Sequence, residues 1–394
     1  MPLRRALLST IGTTASVGTA GCVGQIRREL RGDTPIEGPC DDPPGAWPTA
    51  GGDPGRTGRA DTAPPAPDAT AVDLLASVRD DDREQQHALS LPVVADGTAY
   101  IPVSGGLVAV SLDAPMDGPI WNRDVADGIT AVPLLACEAV FAPGMNQLAA
   151  LDQTSGDRYW RADAGSHHRN DATVAALDDT IYVAGGGLAA VDIHTGTVQE
   201  LEGGGETLAL DDDGIYTTQS DSGIFAYDLN GKERWHRNSS SNEVHGSASV
   251  LDGTVWIADY HGTAYAIDAR TGEVYWSHSF PGVNKIDAGL AVARDEVFVP
   301  AGTGTTSVAL DATTGEIRWA VDTGIVTGRP VVGDDWVAFG RTNDGISVYD
   351  RSTGEERTTW SRTEYHLGTI DGLVPVEEGF MIWEGSSLGL SLLR

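Results

Sequence analysis

One pattern recurs along most of this 394-residue chain. It consists of an aspartate, a glycine about four residues later and, in most copies, a tryptophan about four residues after the glycine. The clearest copies run from Asp268 to Trp276 and from Asp311 to Trp319. Successive aspartates are 36 to 43 residues apart, at Asp113, Asp152, Asp192, Asp228, Asp268, Asp311 and Asp350. A period near forty residues indicates a repeat protein.

Each repeat contains four short runs that are rich in β-branched and aromatic residues. In the repeat that ends at Trp276, turns containing Gly253, Gly262 and Gly272 separate these runs. Such runs between glycine-containing turns are typical of antiparallel strands. No segment shows a sustained helical period, which argues against a parallel sheet with crossover helices. The sequence therefore predicts an all-β fold in which each repeat is one four-stranded antiparallel blade of a β-propeller.

The repeated residues have structural roles that require no chemistry. The aspartate ends the third strand and can accept hydrogen bonds from the following turn, and the glycine supplies the positive φ of that turn. The tryptophan lies on the outermost strand, where its ring can cover the gap between neighbouring blades. We therefore interpret the pattern as a folding signal and not as a cofactor signature.

The number of blades depends on the two ends of the repeat region. Ser391 takes the aspartate position 41 residues after Asp350, and the chain ends before a fourth strand. We expect the missing strand to come from residues 71–78, the nearest strand-like run before the first blade. Closure of this kind removes exposed strand edges. The prediction is an eight-bladed β-propeller, or a seven-bladed one if the last copy is degenerate.

The charge of the chain is strongly acidic. Its formal net charge is −31 and its pI is about 4.4, and Lys232 and Lys285 are its only lysines. Dense carboxylates are typical of proteins from extreme halophiles, where concentrated salt screens their mutual repulsion. The same composition excludes nucleic acid as a partner, because binding to phosphates needs a basic face.

The N-terminus predicts export and lipid anchoring. Residues 1–21 contain Arg4 and Arg5, a mildly apolar stretch to Val17 and small residues before Cys22. This order is typical of a twin-arginine signal peptide that ends in a lipoprotein cleavage site. We expect Cys22 to be lipidated and the protein to be anchored at the extracellular face of the cell membrane. The alternative is a soluble protein in which Cys22 has no special role.

Residues 22–68 are rich in Pro, Gly and Asp and are predicted to form a tether before the propeller of residues 69–394. Within the tether, the segment from Trp47 to Gly58 is expected to fold back and dock against the propeller. Outside the cell, Cys40 and Cys137 could form a disulfide between tether and ring, with free thiols as the alternative. The spacing of Cys and His residues predicts no metal site.

Candidate binding residues lie in the loops that lead into the innermost strands. Five polar residues in these loops form a candidate rim around the central funnel: His87, His245, Asp287, Arg329 and His366. The funnel is a natural place for a small polar ligand or a peptide. The alternative is a solvated channel mouth. No Ser, His and acid can be grouped as a catalytic triad, so no catalytic residue is predicted.

The repeats from Ala266 to Trp276 and from Ala309 to Trp319 resemble the PQQ-type β-propeller repeat. The segment from Trp47 to Gly58 is similar to the opening found ahead of the first blade in many archaeal members. The resemblance covers roughly residues 45–394 and implies one of two functions. Quinoprotein dehydrogenases hold pyrroloquinoline quinone (PQQ) and calcium in the funnel, whereas cofactor-free members such as the bacterial outer-membrane assembly lipoprotein are scaffolds.

The departures from the enzyme branch of that family favour the second function. This chain has no adjacent cysteines and no long blade insertions. We expect a monomeric, non-enzymatic lipoprotein without cofactor that binds or scaffolds envelope or secreted proteins. Two alternatives stay open: an extracellular PQQ-dependent oxidoreductase, and a carrier that binds a small ligand in the funnel.

Overall fold

The described part of the chain forms eight four-stranded antiparallel sheets. The computed structural model describes residues 33–37, 40, 46, 48–77, 88–125, 128–129, 131–144, 147–164, 173–238, 244–280, 283, 285–286, 288–385 and 388–394. The first strands of neighbouring sheets contact one another, so the sheets are the blades of a propeller. The predicted all-β, eight-bladed architecture is confirmed.

The strands are numbered in chain order. The closing strand and blades 1 to 4 contain β1 (Ala71–Asp73), β2 (Val93–Ala95), β3 (Thr98–Val103), β4 (Gly106–Ser111), β5 (Trp121–Asp124), β6 (Leu134–Ala136), β7 (Ala139–Pro143), β8 (Leu148–Asp152), β9 (Arg158–Ala162), β10 (Thr173–Leu177), β11 (Thr180–Ala184), β12 (Leu188–Asp192), β13 (Val198–Leu201), β14 (Thr207–Asp211), β15 (Gly214–Gln219), β16 (Gly223–Tyr227) and β17 (Glu233–Arg237). Blades 5 to 8 contain β18 (Ser249–Leu251), β19 (Thr254–Ala258), β20 (Thr263–Asp268), β21 (Val274–Ser279), β22 (Ala291–Val292), β23 (Glu296–Val299), β24 (Thr306–Asp311), β25 (Ile317–Asp322), β26 (Val331–Val332), β27 (Trp336–Arg341), β28 (Gly345–Asp350), β29 (Glu356–Ser361), β30 (Gly372–Val376), β31 (Gly379–Glu384) and β32 (Gly389–Leu393).

The antiparallel order gives the ring two different faces. Turns between the first and second strands and between the third and fourth strands emerge together on one side, which we call the turn face. Turns between the second and third strands emerge on the opposite side with the loops between blades, and we call this side the rim face.

The repeated aspartate stabilises the turn after the third strand. Asp268 Oδ1 accepts hydrogen bonds from the backbone N–H groups of Arg270 and Thr271, at 3.1 and 2.6 Å. Gly272 follows with a φ of 73°. Asp311 makes the same two backbone contacts in the next blade. The turn therefore uses the aspartate as an acceptor and the glycine for its left-handed backbone, as the sequence predicts.

In five of the described blades the tryptophan connects the blade to the next one. In blade 2, Trp160 is fully buried and its Nε1–H donates to the backbone oxygen of Ile193 in blade 3, at 3.1 Å. A Cβ atom on Gly196 would lie 2.7 Å from this indole ring. Equivalent hydrogen bonds of 2.7 to 3.1 Å join Trp121 to Gln153, Trp235 to Ala269, Trp276 to Ala312 and Trp319 to Arg351. The repeated glycine therefore also makes room for the tryptophan of the preceding blade.

The ring closes through a strand from the N-terminal side. Strand β1 pairs with β32 in blade 8, with Val72 opposite Leu392. Residues Thr70 and Arg394 exchange two backbone hydrogen bonds, at 2.9 and 3.1 Å. The closing strand is shorter than the predicted residues 71–78, because a 3₁₀ helix at Leu74–Ser77 follows it. Leu74 is fully buried in the core of the closing blades, so packing of this side chain turns the chain inwards.

The core is divided among the interfaces between blades. Each cluster of buried side chains spans neighbouring sheets, and the largest contains residues of blades 7, 8 and 1. Fully buried aromatic side chains include Trp160, Trp360, Tyr216, Phe141, Phe298, Phe339 and Phe380. Within the residues that the structure describes, no helix is long and apolar enough to span a membrane.

Candidate functional site

Residues 48–60 lie inside the central channel, and we call this segment the plug. It passes six consecutive blades in order. Backbone oxygens of Pro48, Pro54, Gly55, Thr57 and Gly58 accept hydrogen bonds of 2.6 to 2.9 Å from the N–H groups of Leu135, Leu210, Val250, Val292 and Val332. In blade 3, the Thr49 hydroxyl donates to the backbone oxygen of Val174 at 3.0 Å. The structure thus makes this part of the predicted tether an integral part of the propeller.

The plug binds the same position in each blade. The five N–H donors all lie on the innermost strand, four residues before the second strand of their blade begins. Innermost strands leave one edge of N–H and C=O groups facing the channel, and buried groups of this kind need partners. The plug supplies those partners, although it forms no strand of its own.

The plug also crosses the channel and packs tightly. Gly58 N–H donates to the backbone oxygen of Gly51 at 2.8 Å, which joins the two arms of the segment. A Cβ atom on Gly58 would lie 2.9 Å from the Pro330 oxygen and 3.1 Å from Cβ of Ala291. A Cβ atom on Gly55 would collide with the Val250 backbone oxygen. At Gly55 and Gly58 the plug leaves no space for an additional methyl group.

Arg329 fixes the plug to blades 5 and 6. Its guanidinium donates to the backbone oxygens of Arg56 and Leu290 and to the hydroxyls of Ser247 and Ser249, the latter two at 2.5 and 2.7 Å. The sequence interpretation placed Arg329 among the ligand-binding rim residues. In the structure its guanidinium donates to these four groups inside the protein, and its role in ligand binding stays a prediction.

Three ionisable groups meet in the plugged channel. Burial raises the pKa of Asp53, and hydrogen bonds from Thr57 oppose this shift. Burial lowers the pKa of Arg56 to about 10, against the effect of the Asp53 carboxylate, and lowers the pKa of Arg329 to about 9. The two arginines and one aspartate give the buried centre a net positive charge inside an acidic protein. A single carboxylate therefore offsets part of the cost of burying two guanidinium groups.

Three of the exposed histidines among the described residues, His245, His261 and His366, lie on the rim face. His87 and Asp287 lie outside the described residues. The ring of His245 packs edge-on against Tyr260 with centroids 4.8 Å apart, and Tyr260 contacts the ring of His261 at 5.8 Å. We call His245, Tyr260 and His261 the rim patch.

The sequence interpretation missed two members of the rim patch. It considered only the loops between blades, whereas Tyr260 and His261 lie in the turn between β19 and β20. The antiparallel order places such turns on the rim face as well. The available signal was the sequence Asp259-Tyr260-His261-Gly262, in which a turn contains two aromatic rings.

The turn face is acidic and bears the part of the tether that precedes the plug. Carboxylates occupy the first turn of most blades, at Asp96, Glu138, Asp178, Asp179, Asp212, Asp252, Asp295, Asp334 and Glu377. Residues 33–37, which we call the strap, lie against blades 2 and 3, where Thr34 N–H donates to the Tyr159 oxygen at 2.7 Å and Ile36 N–H donates to the His194 oxygen at 2.9 Å. Cys40 follows the strap and is bonded to Cys137. Cys22 lies outside the described residues.

A cavity of about 660 Å³ opens on the turn face beside the plug. It is lined by Cys40, by Pro48 and Thr49 of the plug, and by the first turn of blade 3 around Asp179. His194 Nε2 lies 3.2 Å from Asp179 Oδ1 close to this cavity. Among the described residues, Cys40, Asp179 and His194 are the one group of three or more side chains placed to hold a metal ion.

Comparison with protein-family models shows which family this chain belongs to. The model described as outer membrane protein assembly factor BamB matches residues 72–207 and 220–366, which is more than half of the chain. The chain belongs to the BamB family. Comparison of this BamB-family propeller with curated proteins finds no significant match.

Solved structures share the fold of this BamB-family propeller at low sequence identity. BamB from Moraxella catarrhalis is 18% identical with a TM-score of 0.60, and the alignment covers 83% of this chain and 98% of that chain. A europium-containing methanol dehydrogenase is 14% identical with a TM-score of 0.62, covering 89% and 98%. Quinohemoprotein alcohol dehydrogenase from Comamonas testosteroni is 16% identical with a TM-score of 0.61, covering 89% and 80%. These similarities extend to the fold alone.

The plug limits the room for a quinone in this channel, where quinoprotein dehydrogenases hold theirs. Gly55 and Gly58 admit no added methyl group, so a large flat cofactor cannot share the channel with the plug at these positions. Nε of Arg56 has no hydrogen-bond partner among the described residues, but this side chain is 5% exposed and belongs to the plug. The described metal-ligand group lies on the turn face and combines sulfur, nitrogen and oxygen, whereas calcium prefers oxygen ligands alone. With the plug in place, the residues around Gly55 and Gly58 do not fit PQQ.

Proposed function

We propose that this chain is a non-enzymatic binding or scaffolding propeller of the cell envelope that meets its partner at the rim face. The observation that carries the proposal is the plug, which occupies the channel: its backbone bonds to the innermost strands of five blades, and its Thr49 hydroxyl bonds to that of a sixth. The rim patch supplies a half-buried tyrosine ring between two exposed imidazoles, which suit recognition of a protein segment.

The proposal also includes the position of the protein in the cell. Export through the twin-arginine signal, lipidation at Cys22 and a location at the extracellular face of the membrane follow from residues 1–22. The strap and plug both lie on the turn-face side, so a tether from Cys22 would leave the rim face directed away from the membrane. Cys22→Ser should release the protein into the medium, and retention of this variant on the membrane would contradict the anchor.

A pull-down tests the rim face. The wild-type protein and a His245→Ala, His261→Ala double variant are immobilised and exposed to solubilised envelope in the same salt. We expect the wild type to recover a defined protein and the double variant to lose it. His236→Ala is the matched control, because His236 is an exposed histidine on the outer strand of blade 4 and should keep the partner. Equal recovery by all three proteins would contradict a rim-face site.

A second experiment separates scaffold from oxidoreductase. PQQ and calcium are added to the purified protein, and the quinone absorbance that stays with the protein after gel filtration is measured together with dye reduction by alcohols and sugars. We expect neither a retained chromophore nor dye reduction, because the plug occupies the channel. A stoichiometric chromophore with activity would overturn the proposal.

A further inference from the structure

Four side chains converge where the strap meets the turn face, although they are far apart in sequence. Cys40 lies just after the strap, Cys137 in the first turn of blade 2, Asp179 in the first turn of blade 3, and His194 in the last turn of blade 3. Donor atoms of Cys40, Asp179 and His194 all lie within 4.8 Å of one another. Cys137 adds a fourth donor, because its sulfur is bonded to that of Cys40.

The hydrogen bonds of His194 define the orientation of its ring. Nδ1 lies 3.0 Å from the backbone oxygen of Ile36, which can only accept, so Nδ1 carries a proton. Nε2 lies 3.2 Å from Asp179 Oδ1, a second acceptor. A neutral imidazole would therefore direct its Nε2 lone pair at a carboxylate oxygen. Either a second proton or a cation between the two atoms relieves this repulsion.

This arrangement is the one that metal-ligating histidines adopt. One ring nitrogen faces the donor cluster, and the other donates to a backbone carbonyl that fixes the tautomer and the ring orientation. In a tetrahedral zinc site with bonds of about 2.0 to 2.3 Å, neighbouring ligand atoms are roughly 3.3 to 3.8 Å apart. The observed separations are 3.2 Å from His194 Nε2 to Asp179 Oδ1 and 3.9 Å from Cys40 Sγ to Asp179 Oδ1. Three of the four donors need little movement to surround one ion.

The surroundings allow an ion to enter and attract it. The cavity of about 660 Å³ on the turn face is lined by Cys40 and Asp179, which gives a path from solvent. Asp178 and Glu138 lie in the same two turns and add negative charge. Sulfur and imidazole donors select zinc-like ions over magnesium or calcium.

We propose that Cys40, Cys137, Asp179 and His194 form a binding site for zinc or a similar divalent ion when the two cysteines are thiols. The disulfide and the metal site are alternative states of one junction, and either state holds the strap to blades 2 and 3. A thiol or phosphine reductant supplies the two electrons that, with two protons, convert the disulfide into two thiols. Metal binding then releases the two thiol protons to solvent and transfers no electron.

Cobalt binding tests the proposal. The full chain, carrying Cys22→Ser to remove the third thiol, is reduced with tris(2-carboxyethyl)phosphine under anaerobic conditions and titrated with Co²⁺. We expect one Co²⁺ per chain, with thiolate-to-cobalt charge-transfer absorption and the visible bands of tetrahedral cobalt, all displaced by Zn²⁺. The oxidised protein should show none of these bands. His194→Gln should weaken Zn²⁺ binding by at least about tenfold.

The controls make each outcome decisive. His236→Gln removes an exposed histidine that lies 3.1 Å from Glu233 but near no cysteine, and it should leave cobalt binding unchanged. Absence of the thiolate band in the reduced protein would overturn the proposal, as would equal affinity in the His194→Gln variant. Loss of the far-ultraviolet β spectrum on reduction would also overturn it, since the dithiol form must keep the junction assembled.

Discussion

Replacing Arg329 by methionine tests whether the plug is held in the channel by this one guanidinium. Methionine keeps much of the aliphatic stem but removes every donor to Arg56, Leu290, Ser247 and Ser249. Hydrogen bonds from charged groups are worth about 1.5 to 3 kcal/mol each, but they are not additive. The Ser249 hydroxyl can still donate to the Arg56 or Leu290 oxygen, and the cost of burying the charge is recovered. We therefore expect the free energy of unfolding to fall by about 3 kcal/mol, which is the low end of the range for a broken buried network.

This loss can be measured in two ways. With an unfolding entropy of about 2.1 cal/mol/K per residue, a domain of this size should unfold about 4 °C lower. Trypsin cleavage after Arg56, which is 5% exposed in the folded protein, reports opening of the plug itself. If the loss is confined to the plug, cleavage should accelerate on the order of 100-fold.

Arg123→Met is the matched control. Arg123 lies on the outer strand of blade 1, donates to the Ser155 oxygen at 2.7 Å and lies 3.6 Å from Asp157. Surface contacts of this kind contribute little, so the unfolding temperature should change by less than about 1 °C. An Arg329→Met protein that matches this control in both unfolding temperature and cleavage rate would refute the reasoning.

Three further predictions concern the ring. Val72→Pro removes an N–H that points at β32, whereas Ala71→Pro removes one that points away, so the first change should lower the unfolding temperature more. Equal unfolding temperatures of the two variants would contradict closure by β1. Trp160→Ala should cost about 3 to 5 kcal/mol in denaturant unfolding, because the ring is fully buried between blades, and a loss below about 1 kcal/mol would be inconsistent with that packing. Hydrogen bonds, the strongest from the Tyr275 hydroxyl, lower the pKa of Asp268 to about 2, below its value near 4 in the unfolded chain. The carboxylate therefore stabilises the folded protein above about pH 4, and this stabilisation is lost as the pH falls towards 2. Asp268→Asn should therefore flatten the fall of unfolding temperature with acid, and an unchanged acid limb would count against the contribution.

The repeat architecture was predictable because its signals are local and periodic. The aspartate and glycine of each turn act within a few residues, and the spacing of Asp113 to Asp350 counts the blades directly. Blade 3 has no tryptophan in this position, because its ladder places Gln199 opposite Ala190, whereas other blades pair an alanine with the tryptophan. Most other blades carry a bulge between the third and fourth strands that shifts the register, and blade 3 has none.

The sequence period does not predict the interior of the channel or the junction at the strap. The plug is rich in Gly and Pro and bonds through backbone oxygens, so the path past six blades leaves no side-chain pattern. Its resemblance to the segment ahead of the first blade in many archaeal members predicts docking against the propeller, but not how far the segment enters the channel. Cys40 and His194 are 154 positions apart, and only the ring brings them together. Arg329 resembled an open rim residue because its partners, Arg56 of the plug and groups of blades 5 and 6, are distant in sequence.

Photo-crosslinking in intact envelopes tests whether the plugged propeller binds a protein at its rim face. A benzophenone amino acid is placed at position 245 in the rim patch and, in a matched protein, at position 236 on the outer strand of blade 4. We expect a defined protein adduct from position 245 and none from position 236. Equal labelling from both positions, or no adduct from position 245, would contradict binding at the rim face.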